Sequence, residues 1–514
     1  MKTKKILCVI LVAAVCFAAL VSCGNGGDVP SSAPVASGGA GETSAEKYTY
    51  GPVDYGEFPY AGMNLDPDSP IKVLCVETAR HIYGEQQFTY NAEKEGNAIN
   101  GAVQERNNKL EEQYGIVFEV TPVYSPAEQI ANFIETGTYE YDVICDSVDR
   151  LEVGTVYGYY LPLDDYVGIS KPWWDSEAID MLAISDSHFL LAGAAILTDD
   201  DNTYLTLFNK DMYNTNADVA AYGNIYDIVR SGGFTIDMYS EMCKYVSHPD
   251  SSGDWGFNAT YGNLSHAYGA TVMVNGCGVA TVTKDEDDQL HLNVTARHSV
   301  DVFDKVYAIM SDQQRTQRAE LIIGKSPNTS STYGFAELEE MFVSGRGLFY
   351  NTTSSSVSIL KSVSMDFEFG VLPIPKFNAE QENYCNTVNR YQSSALAIPS
   401  NVDSERVKET AFALEALGFY NSDVIRAYYQ QTLQLQAVTS DDDAEMLDII
   451  YNHRFYDLGA IFGWGAGSNS LINLYGSVIA DSSANTLISR WDAAESAVIS
   501  AMNDTLDAYE KNAY

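Results

Sequence analysis

The sequence predicts an α/β protein with two folded lobes, and two observations carry that prediction. Residues 71–147 alternate short apolar runs with amphipathic segments, in the order strand, helix, strand, helix, strand. Parallel βαβ units with right-handed crossovers produce this alternation. The chain has 514 residues, whereas a single hydrophobic core stops growing at about 250–300 residues. The folded part is therefore expected to divide between two cores.

Three apolar runs are the strand candidates of the first lobe. They are IKVLCVE from residue 71, IVFEVTPV from residue 116 and YDVICDS from residue 141. Between the first two runs, Asn97 is expected to cap a helix that extends to about Tyr114, because an asparagine side chain can accept from a free N–H of the first turn. Pro126 marks the start of a second helix. Ligands of parallel sheets bind beyond the carboxyl ends of the strands, where Glu77 and Asp146 fall.

The rest of the chain mixes strand and helix patterns. Residues 188–213 predict strand, acidic turn and strand, and residues 341–351 predict a helix end, a glycine turn and a strand. Helices are predicted at about 404–420, 441–456 and 485–509. The last has one apolar face, made of Leu487, Trp491, Ala494, Val498 and Met502.

The N-terminus has the pattern of a bacterial secretion signal. Three lysines precede an apolar run at 6–21, which is short for a membrane span of ~20 residues. Leu20-Val21-Ser22-Cys23 resembles the lipobox of bacterial lipoproteins. The resemblance implies a signal peptide at 1–22 and acylation of Cys23, with palmitate as one expected chain. Residues 23–50 are rich in Gly, Ser, Ala and Pro and predict a flexible linker.

Charge and cysteine content narrow the function classes. The net charge of −40 argues against nucleic-acid binding, because phosphates require a basic surface. The cysteines that remain after Cys23 are widely and irregularly spaced, which is neither a disulfide framework nor a zinc pattern. Cys75 and Cys145 lie in apolar strands and are expected to be buried free thiols.

No catalytic residues, metal ligands or cofactor are predicted. The histidines are scattered, and neither HExxH nor GxSxG occurs. The acidic runs 199–201, 285–288 and 441–443 lack the spacing of a calcium loop. They are expected to be solvated turns, the last of them at a helix N-terminus.

In their order along the chain, several segments resemble the extracellular solute-binding proteins of ABC importers, in the large carbohydrate-type family that includes maltose-binding protein. They are the lipobox and spacer, the βαβ lobe, FNKDMY (208–213), FVSGRGLFYN (342–351), FGVLPIPK (369–376) and SSALAIPS (393–400). The individual motifs are loose, and the specificity comes from their order across 71–514.

The resemblance implies a type II periplasmic-binding-protein-like fold, with two α/β lobes joined by crossing hinge strands. Lobe one would comprise 71–200 and 365–425, and lobe two 205–350 and 430–514. It also implies sugar transport: a monomer without enzymatic activity, anchored at the outer face of the bacterial cell membrane, captures a carbohydrate by hinge closure and delivers it to ABC permease subunits.

The ligand candidates follow from the chemistry of sugars, which present apolar C–H faces ringed by hydroxyls. Aromatic faces, carboxylates and amides suit such ligands. The candidates in loops and at strand ends are Trp464, Trp255, Trp173, Trp174, Glu77, Asp146, Asn351 and Tyr261. Trp491 is assigned to core packing because it lies on the apolar face of the last helix.

Three alternatives stay open from the sequence. The same scaffold can bind a non-sugar small molecule. A surface lipoprotein glycoside hydrolase is possible, because the ~5–10 Å spacing of paired carboxylates is a tertiary property. An adhesin or glycan-capturing module without an importer is the third alternative.

Overall fold

The computed structural model describes residues 55–60, 62–94, 96–361, 363–429, 441–481 and 483–512. The predicted signal peptide (1–22), Cys23 and the linker (23–50) lie outside the described residues. No helix in the described part of the chain is both long and apolar enough to cross a membrane.

The strands are numbered in chain order. They are Ile71–Val76 (β1), Phe118–Val123 (β2), Val143–Ser147 (β3), Tyr204–Asn209 (β4), Tyr261–Ser265 (β5), Val282–Lys284 (β6), Leu290–Leu292 (β7), Thr316–Arg318 (β8), Gly347–Thr353 (β9), Phe369–Leu372 (β10), Asn386–Thr387 (β11), Ser394–Ala397 (β12) and Arg454–Phe455 (β13).

The helices are numbered in the same way. They are Ala98–Tyr114 (α1), Pro126–Glu135 (α2), Val148–Val156 (α3), Ser176–Leu182 (α4), Thr198–Asp201 (α5), Lys210–Thr215 (α6), Ala217–Ala220 (α7), Ile225–Arg230 (α8), Ile236–Val246 (α9), Gly269–Gly276 (α10), Arg297–Met310 (α11), Phe335–Val343 (α12), Ser355–Lys361 (α13), Ser404–Tyr420 (α14), Ser422–Tyr429 (α15), Asp441–Tyr451 (α16), Leu458–Phe462 (α17), Leu471–Asp481 (α18) and Leu487–Asn512 (α19). Short 3₁₀ turns occur at Glu85–Gln87, Ala92–Lys94, Ala319–Leu321 and Gly467–Asn469.

The first sheet has the strand order β12-β3-β1-β2. β1 is parallel to both β2 and β3, and β12 is antiparallel to β3. The predicted strand–helix alternation over 71–147 is therefore confirmed. The fourth strand, β12, comes from the distant segment SSALAIPS.

Helix α1 shows why the local prediction succeeded. Asn97 is extended, and its side chain accepts from the N–H of Asn100, as expected for an N-cap. Gly115 ends the helix in the left-handed conformation, at φ 64°. A side chain at Gly115 would also collide with the backbone of Leu65, so both its conformation and its close contact favour glycine.

The second sheet has the strand order β10-β4-β9-β5-β8. β4 is antiparallel to β9 and β10, whereas β5 is parallel to β8 and β9. The stretch 365–425, which was assigned to lobe one, contributes to both sheets, because β10 pairs with β4 and β12 pairs with β3. The lobe boundaries themselves stay a prediction.

The hydrophobic core has three large parts. One packs the first sheet against α14, and another covers the second sheet and α16. The largest is continuous from β3 through β9 to α18 and α19, and it contains the apolar face of α19 predicted from the sequence. Cys75 and Cys145 are buried free thiols, as predicted.

The expectation of a solvated turn was wrong for the acidic run 199–201. These three aspartates form α5 and are buried. The guanidinium of Arg454, in β13, lies 2.6 Å from Asp200, 3.6 Å from Asp199 and 2.8 Å from Asp175. A cation 254 residues away from Asp200 in the sequence thus makes their burial possible. Among the described residues, no group of acidic, histidine and cysteine side chains is arranged to hold a metal ion.

The run 285–288 behaves as expected, whereas the expectation of a solvated turn was wrong for Asp443, which is buried and pairs with Lys210 at 2.8 Å. Asp285 and Asp287 are exposed in the turn between β6 and β7. Asp441 begins α16, where a carboxylate favours the positive end of the helix.

Candidate functional site

A cavity of about 390 Å³ lies where one edge of the second sheet meets a turn that belongs to the first sheet. The second sheet contributes the end of β9, the start of β4 and the residue that follows β5. The first sheet contributes Asn389 and Gln392, which precede β12. The lining residues are Tyr204, His266, Ser331, Phe335, Ala336, Glu339, Tyr350, Asn351, Thr352, Thr353, Ser355, Ser356, Asn389 and Gln392.

Strand direction explains why these segments meet. β5 and β9 are parallel, so their carboxyl ends share one edge. β4 is antiparallel to β9, with Tyr204 opposite Thr353, and so begins at the same edge. β12 begins opposite the carboxyl end of β3, with Ser394 opposite Ser147. The cavity therefore lies at the carboxyl edges of both sheets, where α/β folds place their ligands.

Aromatic rings form one side of the cavity. Phe335 contacts His266 edge to face, with centroids 5.2 Å apart, and 46% of Phe335 is exposed. His266 also lies 5.9 Å from the Tyr204 ring and is stacked at 6.1 Å on Tyr268. Tyr391, which is exposed, meets Tyr268 at 6.5 Å. This group combines a supported interior with ring surface that a ligand can reach.

Hydroxyl and amide groups form the other side. The hydroxyls of Thr352 and Ser356 are 2.6 Å apart, and those of Thr353 and Ser355 are 2.7 Å apart. Asn351 donates to the Thr206 hydroxyl at 3.0 Å. Each hydroxyl can act as donor and acceptor, so this wall suits a ligand that is itself hydroxylated.

The electrostatics of the cavity favour a neutral ligand. Glu339 is the one carboxylate among the described lining residues, and none of them is a lysine or an arginine. Burial raises the pKa of Glu339. Burial lowers the pKa of His266 to about 4, so this imidazole is neutral at pH 7. A phosphate or carboxylate ligand would find no cationic side chain here.

The turn that supplies Asn389 and Gln392 is fixed from the first sheet. His81 lies 3.1 Å from the Ser394 hydroxyl and 3.3 Å from the carbonyl oxygen of Tyr391. Burial lowers the pKa of His81 to about 4, so it acts as a neutral bridge. Arg390 donates to Glu152 at 2.9 Å and to the carbonyl oxygens of Ala460 and Ile461. The turn thus presents polar groups on a supported backbone.

Of the residues predicted from the sequence, the structure places Asn351 in the cavity lining. It is buried towards the carboxyl end of β9, and the Tyr239 hydroxyl donates to its side-chain Oδ1 atom at 3.3 Å. Asn351 therefore stabilises the edge of the second sheet and also lines the cavity.

Three of the tryptophans predicted as ligand contacts lie in the core. Trp173 donates to Glu415 at 2.7 Å and packs among Tyr55, Phe58 and Phe419. Trp174 is buried in the same cluster. Trp464 stacks on Phe462 and donates to Thr505 at 2.9 Å. None of these rings offers a free face to a ligand in this structure.

Trp255 and Tyr261 contact each other, at 5.5 Å, away from the cavity. Tyr261 is the first residue of β5. The cavity is lined by His266, which directly follows the last residue of this strand. Their place at the amino end of this strand separates them from the carboxyl edge.

Glu77 and Asp146 follow or end strands of the first sheet, as expected, but do not line the cavity. Asp146 is buried, is paired with Arg80 at 2.7 Å, and accepts from the backbone N–H of Ala127 and Ser147. It therefore ties α2 and β3 together. Glu77 is partly exposed just beyond β1.

Sequence reasoning missed His266, Phe335, Glu339 and the turn at 389–392. His266 directly follows the strand YGNLS, and the turn directly precedes SSALAIPS. The strand-end rule that selected Asp146 could have found His266, whereas the turn lies at the amino end of β12, which this rule does not select. Phe335 and Glu339 carried no such signal, because they lie at the start of a helix whose neighbours only the fold decides.

The chain is similar to known proteins in its structure. No known family model matches the sequence, and no curated protein is significantly similar to it. A solved cyclo/maltodextrin-binding protein complexed with maltotetraose has 13% identity and a TM-score of 0.53, covering 88% of this chain and 98% of its own. This likeness shows the two-lobed, periplasmic-binding-protein-like α/β fold, and the predicted fold class is confirmed.

Two further solved structures are more distant. An ABC substrate-binding protein from Listeria monocytogenes in complex with cycloalternan has 11% identity and a TM-score of 0.47, covering 86% of this chain and 98% of its own. A maltose/maltodextrin-binding domain from Bdellovibrio bacteriovorus bound to maltotriose has 14% identity and a TM-score of 0.46, covering 86% and 99%.

Proposed function

We propose that this chain is the solute-binding protein of a bacterial ABC importer, that it captures a neutral carbohydrate, and that it is anchored by a lipid on Cys23 at the outer face of the membrane. One observation carries the sugar assignment. The cavity at the carboxyl edges of both sheets combines aromatic rings, hydroxyls and amides, and the described residues that line it include no cation.

The chemistry of the two walls matches that of a sugar. Phe335 supplies an exposed aromatic face for the C–H side of a pyranose ring. The threonine and serine hydroxyls at 352–356 match the ring hydroxyls. A ligand without hydroxyls would leave these groups unmatched, which disfavours its binding.

The mechanism follows from the fact that segments of both sheets contribute residues to the cavity lining. A ligand that contacts both Phe335 and Gln392 bridges segments that belong to different sheets. Binding then favours the arrangement in which the two lobes approach each other, with the crossing segments as hinges. The closed form would be the state presented to a permease, whose ATPase partners supply the energy of transport.

A cyclo/maltodextrin-binding protein of known structure that shares the fold holds maltotetraose, which supports an oligosaccharide as the ligand. The glycoside hydrolase alternative has less support, because hydrolysis of this kind uses two carboxyl groups about 5–10 Å apart. Glu339 is the one carboxylate among the described residues that line the cavity.

The sugar assignment predicts stabilisation by carbohydrates in a melting experiment. At 100 times its dissociation constant a ligand adds about 2.7 kcal/mol to the free energy of unfolding, which is a shift of a few degrees in lobes of this size. Maltotetraose, raffinose, mannotriose and ribitol are tested beside a pentapeptide, arginine and spermidine. We expect a shift from at least one carbohydrate. Shifts from the peptide, arginine or polyamine alone would reject the assignment.

The anchor predicts that replacing Cys23 releases the protein. In a bacterial host, the wild-type chain should incorporate labelled palmitate and sediment with membranes, whereas Cys23→Ser should do neither, because the serine hydroxyl is not the acylated thiol. Two or more acyl chains at about 0.8 kcal/mol per buried methylene anchor stably. Replacing Cys385 by serine is the control, since this cysteine is far along the chain. Unchanged sedimentation of Cys23→Ser would disprove the anchor.

A further inference from the structure

A second cavity, of about 260 Å³, lies in the groove between α2 and α3. Its walls are small and apolar, from Ala127, Ala131, Val153 and Gly154. In the described part of the chain it shares no lining residue with the cavity at the sheet edges. Sites for drug-sized ligands usually measure about 300–1,000 Å³, so this groove has space for one small ring.

The end of the groove holds a buried hydroxyl that lacks a partner. Tyr160 is 2% exposed, and its hydroxyl has no hydrogen-bond partner among the described residues. The phenol end packs directly over the backbone of Gly154, where a Cβ atom would lie 2.6 Å from the hydroxyl oxygen. Burial raises the pKa of Tyr160, so the group stays protonated and able to donate. Buried polar groups of this kind are rarely left unmatched.

Asp149 supplies a hydrogen-bond acceptor that complements the Tyr160 donor. It lies in the first turn of α3, and its Oδ1 atom is buried without a hydrogen-bond partner among the described residues. A carboxylate oxygen accepts, whereas the Tyr160 hydroxyl can donate. A hydroxylated ring can satisfy both, because each of its hydroxyls donates and accepts.

An aromatic pair completes the groove. Tyr159 lines it, and Tyr157 stacks on Tyr159 with centroids 5.7 Å apart and an interplanar angle of 22°. The Tyr159 hydroxyl donates to Glu135 at 2.6 Å, which fixes the ring. Tyr157 is 68% exposed. Packing within the fold does not require two stacked, accessible tyrosines at this position, whereas the C–H face of a sugar uses such a surface.

The charges at the groove disfavour an anion. Arg150, its one cation among the described lining residues, already donates to Ser125 at 2.9 Å and pairs with Glu128 at 3.4 Å. The unpaired oxygen of Asp149 would repel a phosphate or carboxylate. A neutral ligand does not need the Arg150 cation and is not repelled by Asp149.

We propose that the α2–α3 groove is a second carbohydrate site, which holds one neutral pyranose ring between Tyr159, the Tyr160 hydroxyl and Asp149. The choice of carbohydrate rests on the proposed function, but the residues are different ones. The backbone N–H of Asp149 donates to the carbonyl oxygen of Arg390 at 3.2 Å. The groove therefore adjoins the same turn that lines the main cavity.

Nuclear magnetic resonance with ¹³C-labelled tyrosine tests this proposal on the soluble full-length chain with Cys23→Ser. Methyl α-glucoside, methyl α-mannoside and methyl α-galactoside are added to about 200 mM, a range suited to the millimolar dissociation constants of single rings. Resonances are assigned with Tyr157→Phe, Tyr159→Phe and Tyr160→Phe. We expect saturable shifts at Tyr159 and Tyr160 with at least one glycoside, and no saturation with glycerol.

Three variants separate this site from the main cavity. Phe335→Ala should leave the shifts at Tyr159 and Tyr160 unchanged, whereas Tyr160→Phe and Asp149→Asn should each weaken the binding at least fivefold. Tyr160→Phe removes an unmatched buried hydroxyl and should not lower the melting temperature. Shifts that never saturate, that glycerol reproduces, or that Tyr160→Phe leaves intact would overturn the proposal. Shifts confined to Tyr204 and Tyr350 would support the main site and reject this one. Shifts confined to Tyr159 and Tyr160 would support this site and reject the main one.

Discussion

Replacing Phe335 with alanine is expected to weaken carbohydrate binding by roughly 30-fold, or about 2 kcal/mol. The ring lines the main cavity and is 46% exposed, so a sugar that covers it removes apolar surface from water. Alanine removes this contact and the edge-to-face support of His266. Isothermal titration with the carbohydrate that gives the largest melting shift measures the change in dissociation constant.

Tyr245 provides the matched control for this experiment. It is 45% exposed on α9 and does not line the cavity. Tyr245→Ala therefore removes an aromatic ring of similar exposure and should leave the dissociation constant within twofold. Both variants should melt close to the wild type, because half-exposed side chains contribute little to the core. If Phe335→Ala binds as well as Tyr245→Ala, the cavity is not the binding site.

Replacing Arg454 with methionine is expected to lower the free energy of unfolding by about 3–5 kcal/mol. The guanidinium is buried and pairs with Asp175 and Asp200 at 2.8 and 2.6 Å. Methionine keeps much of the volume but leaves buried carboxylates without this cation, which is costly in a low-dielectric interior. Urea unfolding at pH 8 measures the loss.

The pH dependence of that loss has a definite sign. Burial and then Asp200 raise the pKa of Asp199 above its unfolded value of about 3.9, whereas Arg454 lowers it. Arg454→Met should therefore raise the pKa of Asp199 further. The stability that this bound proton contributes in the variant is complete below about pH 4 and is lost as pH rises through the folded pKa. The difference between Arg454→Met and the wild type should therefore be smaller at pH 5 than at pH 8.

Arg230 is the control for this second experiment. It also pairs with three carboxylates, Asp227, Asp442 and Glu445, but its side chain is 30% exposed. Water screens such pairs, so Arg230→Met should cost less than about 1 kcal/mol. Equal effects of the two substitutions, or an Arg454→Met effect that does not change with pH, would contradict the role of burial.

The elements with strong local signals were predictable. Asn97 and Gly115 bound α1 through cap chemistry that acts within a few residues. β1 and β3 are apolar and largely buried inside the first sheet, whereas β2, at its edge, is partly exposed. The apolar face of α19 was also predicted from its spacing, and the structure buries it.

The candidate site was predicted less well, and the tryptophans show why. Trp173 and Trp464 lie next to residues that suggest loops. Their indole N–H groups nevertheless donate hydrogen bonds to Glu415 and Thr505 respectively, which are far away in the sequence. Local sequence does not show whether a ring faces solvent or a distant partner. Of the residues predicted at strand ends, Asn351 lines the cavity, whereas Glu77 and Asp146 do not.

By itself, the sequence determined the α/β class, the N-cap of α1 and the alternation of strands and helices over 71–147, because caps and hydrophobic periodicity act over a few residues. Only the tertiary structure decided which residues share the cavity and which charges are buried. Phe335 and Gln392 meet because two sheets bring their carboxyl edges together. The acidic run 199–201 is buried because Arg454 reaches it from β13. Both results depend on contacts between residues far apart in the chain, which local patterns do not encode.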